Sequence, residues 1–435
     1  MTGPFFGTQS APLQPVQLPR LPQLPVPPQT ARFQEKRDTL LSAAARHFNV
    51  QGVKGATLGD IAASVGLVTT SLTYYYRKKE DLATACFLRA IVAHESLALA
   101  AAAEPTVAAR VARFFGLHAE LLAAIERGEQ PPLMVFSDIR ALPDAQASTV
   151  FAAYTDMFRR VRALLAGPET ADLDRDDLNA RAHLMLSAAH RVRAWIDQHE
   201  VDEYPRVARR VTNLLLHGLA SPGAVWPGDQ GAGGLSPHWL PLGEGADDTA
   251  DAFLRAATEL VNEQGYRGAS VDRISARLNV TKGSFYHHNE TKLDLISACF
   301  DRSFAVLRQA LREAELAGGP GWQRACASLC SLLRFQLDER GPLLRSTATS
   351  ALPDEAHRAE VRRTLQRLTE RIASMLVDGQ EDGSIRPLDT AIAAQLLSSA
   401  INAAAELQRW VPGITPDNVT RRYGRPALLG LLCSP

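Results

Sequence analysis

One stretch of this chain is repeated later in it, and that repetition limits the possible folds more than any other feature. Residues 40–87 and 253–300 align without a gap at a constant offset of 213, with 17 identities in 48 positions. Chance gives about three such matches, so the chain carries a duplicated unit. The identities include Asn49 with Asn262, Gln51 with Gln264, Gly52 with Gly265, Gly55 with Gly268, Ile61 with Ile274, Ser71 with Ser284, Lys79 with Lys292, and Cys86-Phe87 with Cys299-Phe300. Two similar units are therefore expected, which suits 435 residues, about three times the commonest domain length.

Two composition breaks frame the copies. Residues 1–31 hold eight prolines among Gln and Leu, a composition that favours extended backbone and predicts a disordered tail. Residues 221–246 are crowded with Gly and Pro and predict a linker. Between and beyond them lie halves of nearly equal size. In both, apolar residues recur every three or four positions and period-two alternation is absent, which predicts an all-α fold.

With 46% hydrophobic and 22% charged residues, the chain is neither disordered nor fibrous. No run of eighteen apolar residues occurs and prolines interrupt the N-terminus, so neither a membrane span nor export is expected, and the predicted location is cytoplasmic. The five cysteines form no CxxC pair, which predicts reduced, buried thiols and no metal site. Nucleophile-elbow, zinc-protease and P-loop motifs are absent, so no catalysis and no cofactor are expected. Forty-seven basic residues balance 47 acidic ones, so any nucleic-acid contact must come from a local patch. Such patches exist: residues 32–90 hold nine Lys/Arg against five Asp/Glu, and 265–292 hold five against two.

Within the second copy a helix ends at Gln264-Gly265, and Ser270 stands where an N-cap belongs, ahead of Val271, Ile274 and Leu278 on one face. Asn279-Val280 forms a turn, and Thr281 caps a second short helix, Lys282 to His288. Helix, tight turn and helix is the arrangement that lays its second helix in the major groove. Thr281, Lys282, Gly283, Ser284, Tyr286, His287 and His288 then face phosphates or base edges, with Lys292 placed for a backbone phosphate. The first copy repeats the scheme: Thr57 caps, Leu58, Ile61 and Val65 face inward, Gly66 turns, and Thr69, Thr70, Ser71, Thr73, Tyr74 and Tyr75 form the reading segment before Lys79.

Both stretches, Gly55-Ala56-Thr57-Leu58 through Lys79-Glu80-Asp81-Leu82 and Gly268-Ala269-Ser270-Val271 through Lys292 to Leu295, resemble the DNA-binding segment of the TetR family of transcriptional regulators. More loosely, the helices ending at Trp410, and those at Leu186–Trp195 and Leu214–Leu219, resemble the last helices of that family's regulatory domain. The resemblance implies two tandem units, each a three-helix helix-turn-helix domain (32–82 and 247–295) followed by a helical regulatory and dimerisation bundle (83–220 and 296–435). It implies a repressor that leaves double-stranded operator DNA when a small-molecule effector binds among the regulatory helices. Duplication adds the expectation that the two halves pair within one chain as a pseudo-dimer, with a homodimer as the alternative. Departures from the family pattern, among them Thr70, Thr73, Asn279 and His288-Asn289, leave open a second reading, a helical sensor or scaffold in which one or both heads have lost DNA binding. For the effector, Phe114, His118, Phe136, Tyr154, Met157, Met185 and His190 are the expected lining of a mostly apolar pocket inside the first half.

Overall fold

The computed structural model describes residues 31–227, 248–278, 291–352 and 354–434. Among these the regular elements are helical, and the extended pairing present is a single bridge between Ala220 and Ile385. The proline-rich tail and most of the expected linker lie outside the described residues.

In the first half, α1 (Ala31–Gly55), α2 (Leu58–Ala63) and α3 (Thr69–Tyr75) form a head. The next helix, α4 (Lys79–Ala101), runs from it into a bundle with α5 (Val107–Glu126), α6 (Asp144–Ala163), α7 (Arg175–Val192) and α8 (Tyr204–His217). The second half repeats the order with α9 (Asp248–Gly268), α10 (Val271–Arg277), α11 (Lys292–Leu316), α12 (Gly321–Leu337), α13 (Glu355–Glu381), α14 (Thr390–Ala404), α15 (Leu407–Trp410) and α16 (Arg425–Leu429). A 3-10 turn sits at the same place in each half, Phe136–Ala141 and Ser346–Ala351.

Local chemistry explains the repeated geometry. The first helix of each head breaks at a glycine of positive φ, Gly52 at 70° and Gly265 at 71°, a conformation that side-chain-bearing residues avoid. Side-chain caps start the helices that follow: Thr57 accepts from Asp60 N, Ser270 from Arg273 N, and Thr291 and Asp294 form a reciprocal capping box. Helix α4 is long and apolar enough to match a membrane span by composition alone, but 61% of that window is buried against α1, α5 and α6. It is the spine joining head to bundle. Cys86, Cys299, Cys326 and Cys330 are buried free thiols, as expected, and Cys433 is half-buried.

The two halves pack on each other through α7 against α14, and α8 against α14 and α16. Several buried polar groups find partners across this seam. Arg181, 1% exposed, donates to the carbonyls of Leu431 (2.9 Å) and Cys433 (2.8 Å). Arg422 reaches both Asp174 and Asp177 at 2.8 Å, His183 Nδ1 meets the Tyr423 hydroxyl at 3.1 Å, and Ser399 donates to Ser187 O. Trp410 of the second half stacks on Phe158 of the first with ring centroids 4.3 Å apart. The heads are also crossed over the seam, with α1 touching the second half's 3-10 turn and α9 touching the first half's.

Candidate functional site

In the first head, Ile61 and Leu72 are fully buried and set the angle between α2 and α3. Between them Gly66 turns the chain at φ 69°. Thr69, Thr70 and Tyr74 are exposed, Tyr74 at 76%, and so stand free to meet a ligand as large as duplex DNA. Ser71 is half-buried. Thr73 donates its hydroxyl to Thr70 O at 2.9 Å, and Tyr75 packs on Phe33 with centroids 4.6 Å apart, so both side chains are held within the head. Thr57 is occupied as the cap of α2. Lys79, expected at a phosphate, donates to the carbonyls of Lys54 (3.2 Å) and Ala56 (2.9 Å), tying α4 to the end of α1; exposed Arg77 and Lys78 precede it. Tyr76, which the sequence does not single out, is buried and accepts from Arg37 Nε at 2.9 Å.

In the second head Ser270 caps α10, and Lys292 opens α11 as a half-buried residue. Thr281, Lys282, Gly283, Ser284, Tyr286, His287 and His288 lie outside the described residues.

Each head is fastened to its bundle by the same asparagine. Asn49 donates from Nδ2 to Leu133 O and accepts at Oδ1 from Val135 N, both at 2.9 Å. Asn262 does the same with Leu343 O at 2.9 Å and Arg345 N at 3.0 Å. A bidentate amide of this kind fixes the position and rotation of a helix on an extended segment. The identity of Asn49 with Asn262 was visible in the repeat, but its partners lie more than 80 residues away.

The segments so clamped wall a cavity of about 580 Å³ between the two halves. His118, Phe136, Tyr154 and His190 line it; Phe114, Met157 and Met185 are fully buried core residues away from its wall. The cavity is thus walled by both halves rather than by the first alone. Ser346, Gln395, Asn402, Glu406 and Arg409 of the second half complete the wall, and six arginines stand in an otherwise largely apolar lining. Side-chain direction explains the miss: Phe114 and Met157 sit on the helix faces that pack inside the bundle, whereas the cavity opens at the seam.

Burial keeps the cavity histidines neutral. His118 is pushed down to about 3 by burial and by neighbouring His94, and His183 to about 4 by burial. His94, bonded through Nδ1 to Ala90 O at 2.8 Å, and His190 are lowered in the same way. Burial raises the cost of charging Glu406, but Arg345 and Arg140 outweigh it and hold its carboxyl below the usual range. Arg140 lies 3.0 Å from Glu406 and also donates to Asn262 O at 2.7 Å, joining the first half to the second head. Arg345 makes an ion pair with the same carboxylate.

Each head is thus clamped to a helical bundle, with a cavity at the clamps. Residues 40–86 and 253–299 each match the model of bacterial regulatory proteins of the tetR family. The chain is 38% identical over 64 residues to the Transposon Tn10 TetC protein of Escherichia coli, a match covering 15% of this chain and 32% of that protein. It is 29% identical over 136 residues to the HTH-type transcriptional repressor DhaR of Mycobacterium sp. (strain GP1), covering 31% of this chain and 68% of DhaR. It thus spans about a third of the length of the first of these relatives. Among solved structures it is similar to the TetR family transcriptional regulator PfmR from Thermus thermophilus, with 22% identity, a TM-score of 0.34, and 41% of this chain and 98% of that one covered. The chain thus carries, in tandem, two segments that each match the tetR-family model.

Proposed function

We propose that this chain is a repressor whose two heads read one operator as an intramolecular pair, and that a small molecule in the cavity between the halves releases it. The observation that carries this reading is the paired asparagine clamp. Asn49 and Asn262 bind the first helix of each head to the segments that wall one cavity, so a ligand that moves those segments shifts both heads together. Polar bonds buried along the α7/α14 seam support pairing within the chain, since a seam already filled by the second half leaves no equivalent face for another copy. Repression follows the relative that bears that name.

Anisotropy of a labelled fragment from upstream of the chain's own gene tests the reading. Binding that weakens steeply with salt and exceeds that to an unrelated fragment by about a thousandfold or more is the expected result. Equal affinity for both fragments would leave the helical sensor or scaffold as the better reading.

A further inference from the structure

The charges around the cavity do not balance. Among the described residues, Arg140, Arg191, Arg193, Arg345, Arg362 and Arg409 line it against a single carboxylate, Glu406, while the histidines there are neutral. Arg362 pairs outside the wall with Glu355. Arg140 and Arg345 share Glu406; among the described residues Arg191 reaches a neutral hydroxyl, Ser346 Oγ at 3.3 Å, and Arg193 a neutral carbonyl, Leu133 O. Arg409 lies over the Phe151 ring, 3.7 Å from its centroid. Cations gathered in a semi-enclosed space of low dielectric repel one another unless an anion joins them.

Unmet hydrogen bonding points the same way. Among the described residues, Arg345 Nε and Trp195 Nε1, both donors only, are buried on this wall without a partner, as are His190 Nε2 and the Thr349 hydroxyl. Beside the arginines, Phe136, Tyr154, Phe158 and Trp410 form a continuous aromatic face, with Phe136 and Tyr154 centroids 5.2 Å apart, Tyr154 and Trp410 5.4 Å apart, and Arg409 over the Trp410 ring. The second half's own interior is closed instead by Gln336, which bonds Ile401 O and Leu343 N, and by Ser303, which accepts from Leu344 N.

Accepting the effector reading above, on which this rests, we infer that the cavity takes an aromatic or otherwise apolar organic anion, bound one per chain, its acidic group joining Glu406 among Arg140, Arg345 and Arg409. Its apolar body lies on the Phe136–Tyr154–Trp410 face. Arg140 and Arg345 both touch Asn262, and Asn49 lines the same cavity, so one bound anion reaches the clamps of both heads.

Fluorescence titration of the DNA-free full chain with 8-anilinonaphthalene-1-sulfonate and with N-phenyl-1-naphthylamine tests this, because the two probes differ only in the sulfonate. The sulfonate should bind one per chain and about tenfold or more tighter than the neutral probe. Arg409→Gln should remove most of that preference while leaving the neutral probe's affinity unchanged, which also shows that the variant is folded. Glu406→Gln, which deletes the competing carboxylate, should tighten the sulfonate further. Equal binding of both probes, or an Arg409→Gln variant that weakens both alike, would overturn the inference. The titration needs no DNA. A chain that selects the anion by charge and yet keeps its operator when loaded would support the site and remove the regulatory reading instead.

Discussion

Asn49 and Asn262 show how much one side chain can hold. Changing Asn262 to Ala removes the partner of Leu343 O and of Arg345 N, and changing Asn49 removes that of Val135 N while Leu133 O keeps Arg193, so each is expected to cost about 1–3 kcal/mol of stability by urea denaturation, Asn49 the less. Beyond the stability loss, the variant head should respond less to effector than the intact one, measured as DNA release per bound ligand. The buried histidines supply a second test. With His118 at about 3 and His183 at about 4 in the folded chain and near 6.5 unfolded, the folded state binds fewer protons across that interval. Stability is therefore full above pH 6.5 and falls as pH drops toward 4, by about 1.4 kcal/mol per pH unit for each such histidine. Asp174, held below the usual range chiefly by Arg422, acts only at more acid pH and does not blur this window. Urea midpoints at pH 7 and pH 5 check it, and His118→Gln should flatten the dependence. These residues were legible only as types: the repeat exposes Asn49, and His118 and His190 stand among the residues expected at a pocket. Their roles depend on groups brought near by tertiary packing.

Whole elements were easier to read than their partners. Helices α2 and α3 follow from the Thr57 cap, the spacing of Leu58, Ile61 and Val65, and the turn at Gly66, all local signals. Thr57→Ala should cost about 1 kcal/mol through loss of the bond from Asp60 N. On α3 the exposed side chains separate two kinds of contact. Thr70→Ala is expected to relax preference at one half-site by about 1–3 kcal/mol, while Lys78→Ala should weaken binding to every sequence and lower the salt slope by about one unit. Anisotropy over a salt series, on several operator variants, distinguishes them. The cavity resisted the same reasoning because Arg140, Arg345, Glu406 and Arg409 come from separate segments, and nothing in any of them marks the seam they share. Lys79 looked like a phosphate anchor because it starts a helix next to a basic run. The free carbonyls at the end of α1, which take its ammonium, are not a sequence signal.

At the scale of the molecule, the seam between α7 and α14 makes the two heads parts of one body, and their surfaces differ. The first presents Thr69, Thr70 and Tyr74, while the sequence of the second offers Lys282, Ser284 and His287 at the corresponding turn. Because base edges are read by such side chains, sequences selected from a random pool should show two unlike half-sites rather than a palindrome. The central claim is that one chain is a complete two-headed reader. It is tested most directly by the mass of the protein–operator complex in solution, measured by light scattering or sedimentation with the free chain alongside. One 47.2 kDa chain per operator duplex, and a monomeric free chain, is the predicted result. Two chains per duplex, each using a single head on a palindromic site, would contradict it.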